Sequence, residues 1–245
     1  PSVIRRMGCD IHSVFELLGD DGVWRAIYVE NLTEDDAQRL QWRIDDAKEE
    51  GRPPPTGITL EWNDRNYNVF SILANVRNGR GFAGVKTGEG FEPIAAERGF
   101  PADASPEALA MSESYGVDGH SHTWVSLAEI LDTGWQSKTT VLQGIVEANE
   151  YVAWRKANEG LENPVGPDSY CGGVWGAKVR TISAEDAARM LDWDGELEPT
   201  VTNVQIQWKV NYAECAKYFM EFIYSRVVIL GHDPARVRMV MFFDN

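Results

Sequence analysis

The two ends of this chain constrain its fold more than any other feature. Near the start, residues 9–18 place Cys9, Ile11, Ser13, Phe15 and Leu17 on one face of a strand and Asp10, His12, Val14 and Glu16 on the other. At the far end, Arg236–Phe243 reads as a buried strand, followed by Asp244-Asn245. Strands at both ends with helical patterns between them favour an α+β fold. The expected sheet is mixed or antiparallel, contains the N- and C-terminal strands, and is packed by several helices. A doubly wound parallel order would need regular strand–helix alternation, which the middle of the chain lacks.

The turn signal Gly19-Asp20-Asp21-Gly22 predicts a hairpin between residues 9–18 and 23–30. Thr33 followed by Glu34-Asp35-Asp36 is an N-cap with acid in the first turn, and predicts a surface helix to about Glu50, closed by Gly51-Arg52-Pro53-Pro54-Pro55. Residues 67–78 read as a helix with Val69, Phe70, Leu73 and Val76 on its apolar side. Ser105-Pro106-Glu107 starts a short helix, and Ser126-Leu127-Ala128-Glu129 is a capping box, with Thr123 as an alternative start. A longer helix is expected over residues 139–158, a strand over 179–182 and a short helix after Ser183. Val204, Ile206, Trp208 and Val210 alternate as a strand does, and a helix follows from about Tyr212 to Val228. The Gly-rich stretch 79–90 lacks the residue order of a P-loop and reads as a mobile surface loop.

A chain of 245 residues can bury one large core or two small ones, and no low-complexity linker divides it. Residues 7–245 therefore read as a single α+β domain, with residues 1–6 a leader or added segment before Met7. The balance of 23 Lys+Arg against 38 Asp+Glu gives a net charge of −15, which excludes nucleic-acid binding through a general basic surface. No apolar run approaches the length that crosses a membrane. Cys9, Cys171 and Cys215 are odd in number and irregularly spaced, and no secretion signal is recognisable, so a reducing cytoplasm is expected.

Of the four histidines, three lie in short motifs with metal-ligand character. Asp10-Ile11-His12 puts a carboxylate and an imidazole on one strand face, and His120-Ser121-His122 would do the same with two imidazoles if extended. Asp10, His12, His120 and His122 form an O/N ligand set suited to Zn²⁺, Mn²⁺ or Fe²⁺. Such an ion lowers the pKa of a bound water for attack on phosphorus or carbon. If the last strand runs antiparallel beside the first, Asp244 approaches Asp10, and the two become the candidate catalytic carboxylates. Arg65 and Tyr67, just before and at the start of one helix, with Arg77 at its far end and Arg98 beside a turn, are the candidate substrate-binding residues.

Met7-Gly8-Cys9-Asp10-Ile11-His12 and the closing Phe243-Asp244-Asn245 resemble a family of uncharacterised phage and prophage proteins. The resemblance continues through Arg65-Asn66-Tyr67, Leu73-Ala74, Val76-Arg77, Arg98-Gly99 with Pro101, and His120-Ser121 with Trp124. It implies a phage product in a bacterial cytoplasm with Met7 as a family start, and brings no activity with it. The family pattern carries His at position 120 and other residues at 122, which narrows the ligand set to Asp10, His12, His120 and Asp244.

Two function classes follow. In the first, a divalent-metal-dependent hydrolase acts on a nucleotide or phosphodiester, with a small nucleotide preferred because the acidic field repels long polyanions. In the second, a non-enzymatic phage counter-defence or host-takeover factor binds a host protein or signalling nucleotide and needs no cofactor. A virion or assembly protein is the third possibility.

Overall fold

The computed structural model describes residues 8–49, 51, 53–95 and 97–244. Residues 1–6, read above as a leader, lie outside these, as do Met7 and Asn245. In chain order the elements are β1 (Asp10–Leu18), β2 (Trp24–Ala26), α1 (Glu34–Glu49), α2 (Tyr67–Ala74), α3 (Pro106–Tyr115), β3 (His120–Ser126), α4 (Leu127–Leu131) and β4 (Thr139–Glu147). They continue with α5 (Ala148–Ala157), β5 (Thr181–Ser183), α6 (Ala184–Asp194), β6 (Asn203–Asn211), α7 (Tyr212–Cys215), α8 (Lys217–Phe222) and β7 (Val237–Asp244). The fold is α+β. It divides into two compact units, one from Cys9–Arg65, Ile94–Asp132 and residues 222–244, the other from Asn66–Pro93 and Thr133–Glu221.

The first unit holds the terminal strands in a sheet of order β2-β1-β7-β3, antiparallel throughout. β7 lies between β1 and β3 with both its edges paired, and Val237–Phe243 are all buried. Burial on both faces explains why its apolar residues do not alternate with polar ones, because a strand with no solvent face has no need of alternation, and the one charge within Val237–Phe243 is the buried Arg238. On one face Ile11 and Phe15 join Met239, Met241 and Phe243 in the core. On the other, Val14 and Val240 pack with Ala108 of α3, flanked by Phe100, Ala104, Met111 and Trp124. α3 starts where the sequence predicts, with the Ser105 hydroxyl accepting the Ala108 N–H at 3.3 Å and Pro106 in its first turn. α1 is capped by Thr33, whose hydroxyl accepts the Asp36 N–H at 3.1 Å while Asp36 reaches back to the Thr33 N–H at 3.1 Å.

The Asp10–Glu16 face of β1 is buried in its middle because α3 lies over it. Glu16 is consequently removed from water and needs charge and hydrogen-bond partners. Arg238, directly opposite on β7, donates from Nε to Glu16 at 2.7 Å, and the Ser105 N–H donates to the other Glu16 oxygen at 2.6 Å. Arg238 also donates to the Asp103 carboxylate at 2.9 Å and lies 4.0 Å over the Trp24 ring.

The second unit contains a sheet of order β4-β6-β5, with β4 antiparallel and β5 parallel to β6. Here the structure corrects the helix expected over residues 139–158. The first half is β4, and α5 begins only at Ala148. Thr140, Leu142, Gly144 and Val146 alternate inward with a period of two, and the β-branched Thr139, Val141 and Ile145 suit a strand. The helix expected over 212–228 is broken into α7, α8 and a π-helical turn over Ile223–Val227. Thr123 lies inside β3, so the helix after it starts at the Ser126 capping box, not earlier. The hairpin partner over 23–30 shortens to β2. α2 ends at Ala74, because Asn75 takes φ 60° and returns its N–H to the Phe70 and Ser71 carbonyls. The Gly-rich stretch is tied to β4: the Gln143 N–H donates to Thr87 O at 2.8 Å and the Glu89 N–H to Val141 O at 2.9 Å. Among the described residues no helix is long and apolar enough to cross a membrane.

Candidate functional site

Antiparallel register makes the first residue of β1 the partner of the last residue of β7, so Asp10 faces Asp244 across the strands, as the sequence predicts. The Asp10 N–H donates to Asp244 Oδ1 at 3.1 Å. Two residues on and on the same face, His12 Nε2 approaches Asp244 Oδ2 at 3.5 Å, a charge contact longer than a hydrogen bond. Arg65 closes the cluster with a two-pronged pair on Asp10, Nε to Oδ1 at 2.6 Å and Nη2 to Oδ2. The Arg65 hydrogen bonds hold the Asp10 carboxyl below the usual carboxylate range, against the opposing effect of partial burial.

Three residues that the sequence reading did not single out belong beside this cluster. The Tyr115 ring lies 4.1 Å from the His12 ring and 5.2 Å from Phe242. Burial raises the Tyr115 hydroxyl pKa, and the charges of Asp244 and Asp10 raise it further while Arg43 acts the other way. Arg43 donates to both Glu61 oxygens, at 3.0 and 2.9 Å, and Thr59 donates its hydroxyl to the same carboxylate. No local motif marks Tyr115, Arg43 or Glu61, because each reaches the site from a separate segment.

The three motif histidines divide between two faces of the sheet. His12 and His122 both stack on Phe242, with centroids 5.1 and 5.2 Å away, whereas His120 stacks on Phe243 at 6.3 Å. Phe242 and Phe243 are consecutive strand residues and point to opposite sides. The His120-Ser121-His122 segment is not simply extended: Ser121 has φ 51° and the β3–β7 register shifts between His120 and Thr123. His122 Nε2 meets the Ser112 hydroxyl at 2.9 Å, and His120 Nδ1 meets the Ser121 hydroxyl at 3.0 Å. Burial pushes the His122 imidazole below its usual pKa, and the charge on His120 adds to this. Among the described residues no group of three or more His, Cys, Asp and Glu is placed to hold a metal ion. The ligand set Asp10, His12, His120 and His122 is therefore not gathered into one coordination sphere.

Each candidate substrate-binding residue has its own partners. Arg98 donates to both Glu129 oxygens at 3.1 and 2.6 Å, and lies 4.8 Å over the Trp124 ring. Arg98, with help from Ser126, lowers the Glu129 carboxyl to about 2. Arg98 thus clamps the α4 capping box. Tyr67 and Arg77 belong to the second unit, where the Arg77 guanidinium lies 5.1 Å over the Tyr67 ring. Arg65 is in hydrogen-bond contact with the Asp10 carboxylate. No family model, curated protein or solved structure matches this chain.

Proposed function

We propose that the Asp10–Asp244 end of the β1–β7 pair binds a small nucleotide or phosphodiester, and that His12, held against Asp244, supplies acid–base chemistry for its hydrolysis. One observation supports this reading above the rest. Strand register brings two carboxylates and an imidazole together, and Arg65 adds a guanidinium at a partly exposed point. An imidazole is the side chain most often used for general acid–base work, and the Asp244 carboxylate lies 3.5 Å from Nε2 of His12. The Arg65 guanidinium is a flat, two-pronged donor matched to a phosphate, which would take the place of Asp10 upon it. The charge of −15 favours a small ligand over a long polyanion.

The second reading is binding without turnover, of a signalling nucleotide or a host protein, in the phage accessory role that the opening hexapeptide implies. It is favoured by the pairing of Arg65 with Asp10 and of Arg98 with Glu129, which leaves these cations already neutralised. Hydrolysis of bis(p-nitrophenyl) phosphate and of cyclic and linear dinucleotides, with and without Zn²⁺, Mn²⁺ or Fe²⁺, separates the two. The first reading expects turnover that falls roughly 10²–10⁴-fold in His12→Gln and Asp244→Asn. Ligand-induced stabilisation without turnover selects the second, and turnover indifferent to both variants removes the assignment of the site.

A further inference from the structure

Ser112 differs from Ser71 and Ser114, two other serines in helices. Serine in a helix commonly bonds back to a carbonyl one turn earlier, and Ser71 does so to Tyr67 O at 2.7 Å, as Ser114 does to Met111 O at 2.7 Å. The Ser112 hydroxyl instead meets His122 Nε2 at 2.9 Å. Between them they join α3 to β3, and both side chains are only partly buried. The imidazole is held on two sides, stacked on Phe242 at 5.2 Å and 21° and met edge-on by Phe100 at 5.7 Å and 80°. A nucleophile within hydrogen-bond reach of a base whose orientation is fixed by its surroundings is the arrangement that activates a hydroxyl.

We propose that Ser112 is a nucleophile activated by His122, in a site for small carboxylic esters with an apolar acyl group. With its proton on Nδ1, His122 accepts the Ser112 hydroxyl proton at Nε2 as Oγ bonds to the ester carbonyl carbon. The bond from that carbon to the alcohol oxygen then breaks, and Nε2 returns the proton to the departing alcohol. Water repeats the sequence on the acyl-serine: His122 takes its proton, the carboxylic acid leaves, and Ser112 recovers its hydrogen. Phe100 and Met111 pack along the same face of the sheet and provide apolar surface for the acyl chain. This reaction uses neither Asp10 nor Asp244, so its failure and that of the phosphodiester proposal are distinguishable, although His122 and His12 stack on the same Phe242 ring.

The test uses the full chain with a fluorophosphonate probe and with p-nitrophenyl acetate and butyrate. A single adduct mapped to Ser112, a burst of one equivalent of nitrophenol, and faster reaction with butyrate are expected. Ser112→Ala should abolish the adduct, and His122→Gln should slow it by at least about 10²-fold, with melting curves confirming that both variants fold. His122→Asn replaces the Gln variant if that one does not fold. No adduct at Ser112, or a labelling rate that His122 substitution leaves unchanged, overturns the proposal.

Discussion

Two carboxylate–guanidinium pairs lie on the same face of β1, and they have opposite characters. Glu16 and Arg238 are almost wholly removed from water, with side chains 0% and 4% exposed. Asp10 and Arg65 have similar bidentate-capable chemistry but are 39% and 55% exposed. The buried pair is completed by Ser105, Asp103 and the Trp24 ring, so that every charge has a partner. The exposed pair shares its carboxylate's neighbourhood with Asp244 and His12 and remains open to solvent. Burial, rather than residue type, separates scaffold from candidate site: losing a partner in the interior leaves an uncompensated charge, whereas at the surface water replaces it.

The largest expected effect comes from the buried pair. Arg238→Ala should lower unfolding stability by about 3–5 kcal/mol, because Glu16 would be left buried without a countercharge, with the Ser105 N–H still donating to it. The paired replacement Glu16→Leu with Arg238→Met should recover most of that loss. Denaturant titration of the single and double variants measures both, and an equal loss in each would show that the contribution is packing rather than charge.

A smaller effect should appear on acidification. The Glu129 carboxyl titrates at about 2 in the folded chain against an ordinary value of 4.5. A depressed folded pKa means that the stabilisation from Arg98 and Ser126 is complete above pH 4.5 and is lost as the pH falls toward 2. Because Glu129 is partly exposed, solvent screening limits the contribution to about 1 kcal/mol or less. Comparing wild type with Glu129→Gln from pH 6 to pH 3 checks this: the difference in stability should shrink as acid is added. A difference that grew would reverse the sign assigned to the pair.

The smallest stability change is expected at the exposed pair. Arg65→Ala should alter unfolding stability by less than about 1 kcal/mol, and the melting temperature by no more than about 2–4 °C. The same substitution should abolish stabilisation by any phosphate-bearing ligand that the wild type binds. A stability loss approaching that of Arg238→Ala would place Arg65 with the scaffold and end the contrast between the two pairs.

Much of this was visible in the chain as written. Acid after Thr33, Pro106 after Ser105 and Glu129 after Ser126 each locate a helix start within a few residues, because capping is local chemistry. The Asp10–Asp244 meeting was also legible, since two terminal strands paired antiparallel must bring opposite ends together. Residues 139–147 carry enough apolar residues for either element; their β-branched residues lean toward a strand, and pairing with β6 fixes it. The histidines misled for a related reason. His120 and His122 share a face only if the backbone between them is regular, and the left-handed Ser121 breaks that regularity.

The apolar patterns of β1 and β7, and the caps of the helices between them, rest on interactions spanning a few residues, and so they could be read directly. The partners of Glu16, Asp10, His122 and Tyr115 could not. Arg238 lies 222 residues from Glu16, Arg65 lies 55 from Asp10, and Ser112 meets His122 across a helix–strand contact. Which charge meets which is set by strand register and by the docking of α3, both of which depend on the whole core closing at once. The residue types supplied the possible chemistry, and burial and distance assigned each of them to scaffold or to site.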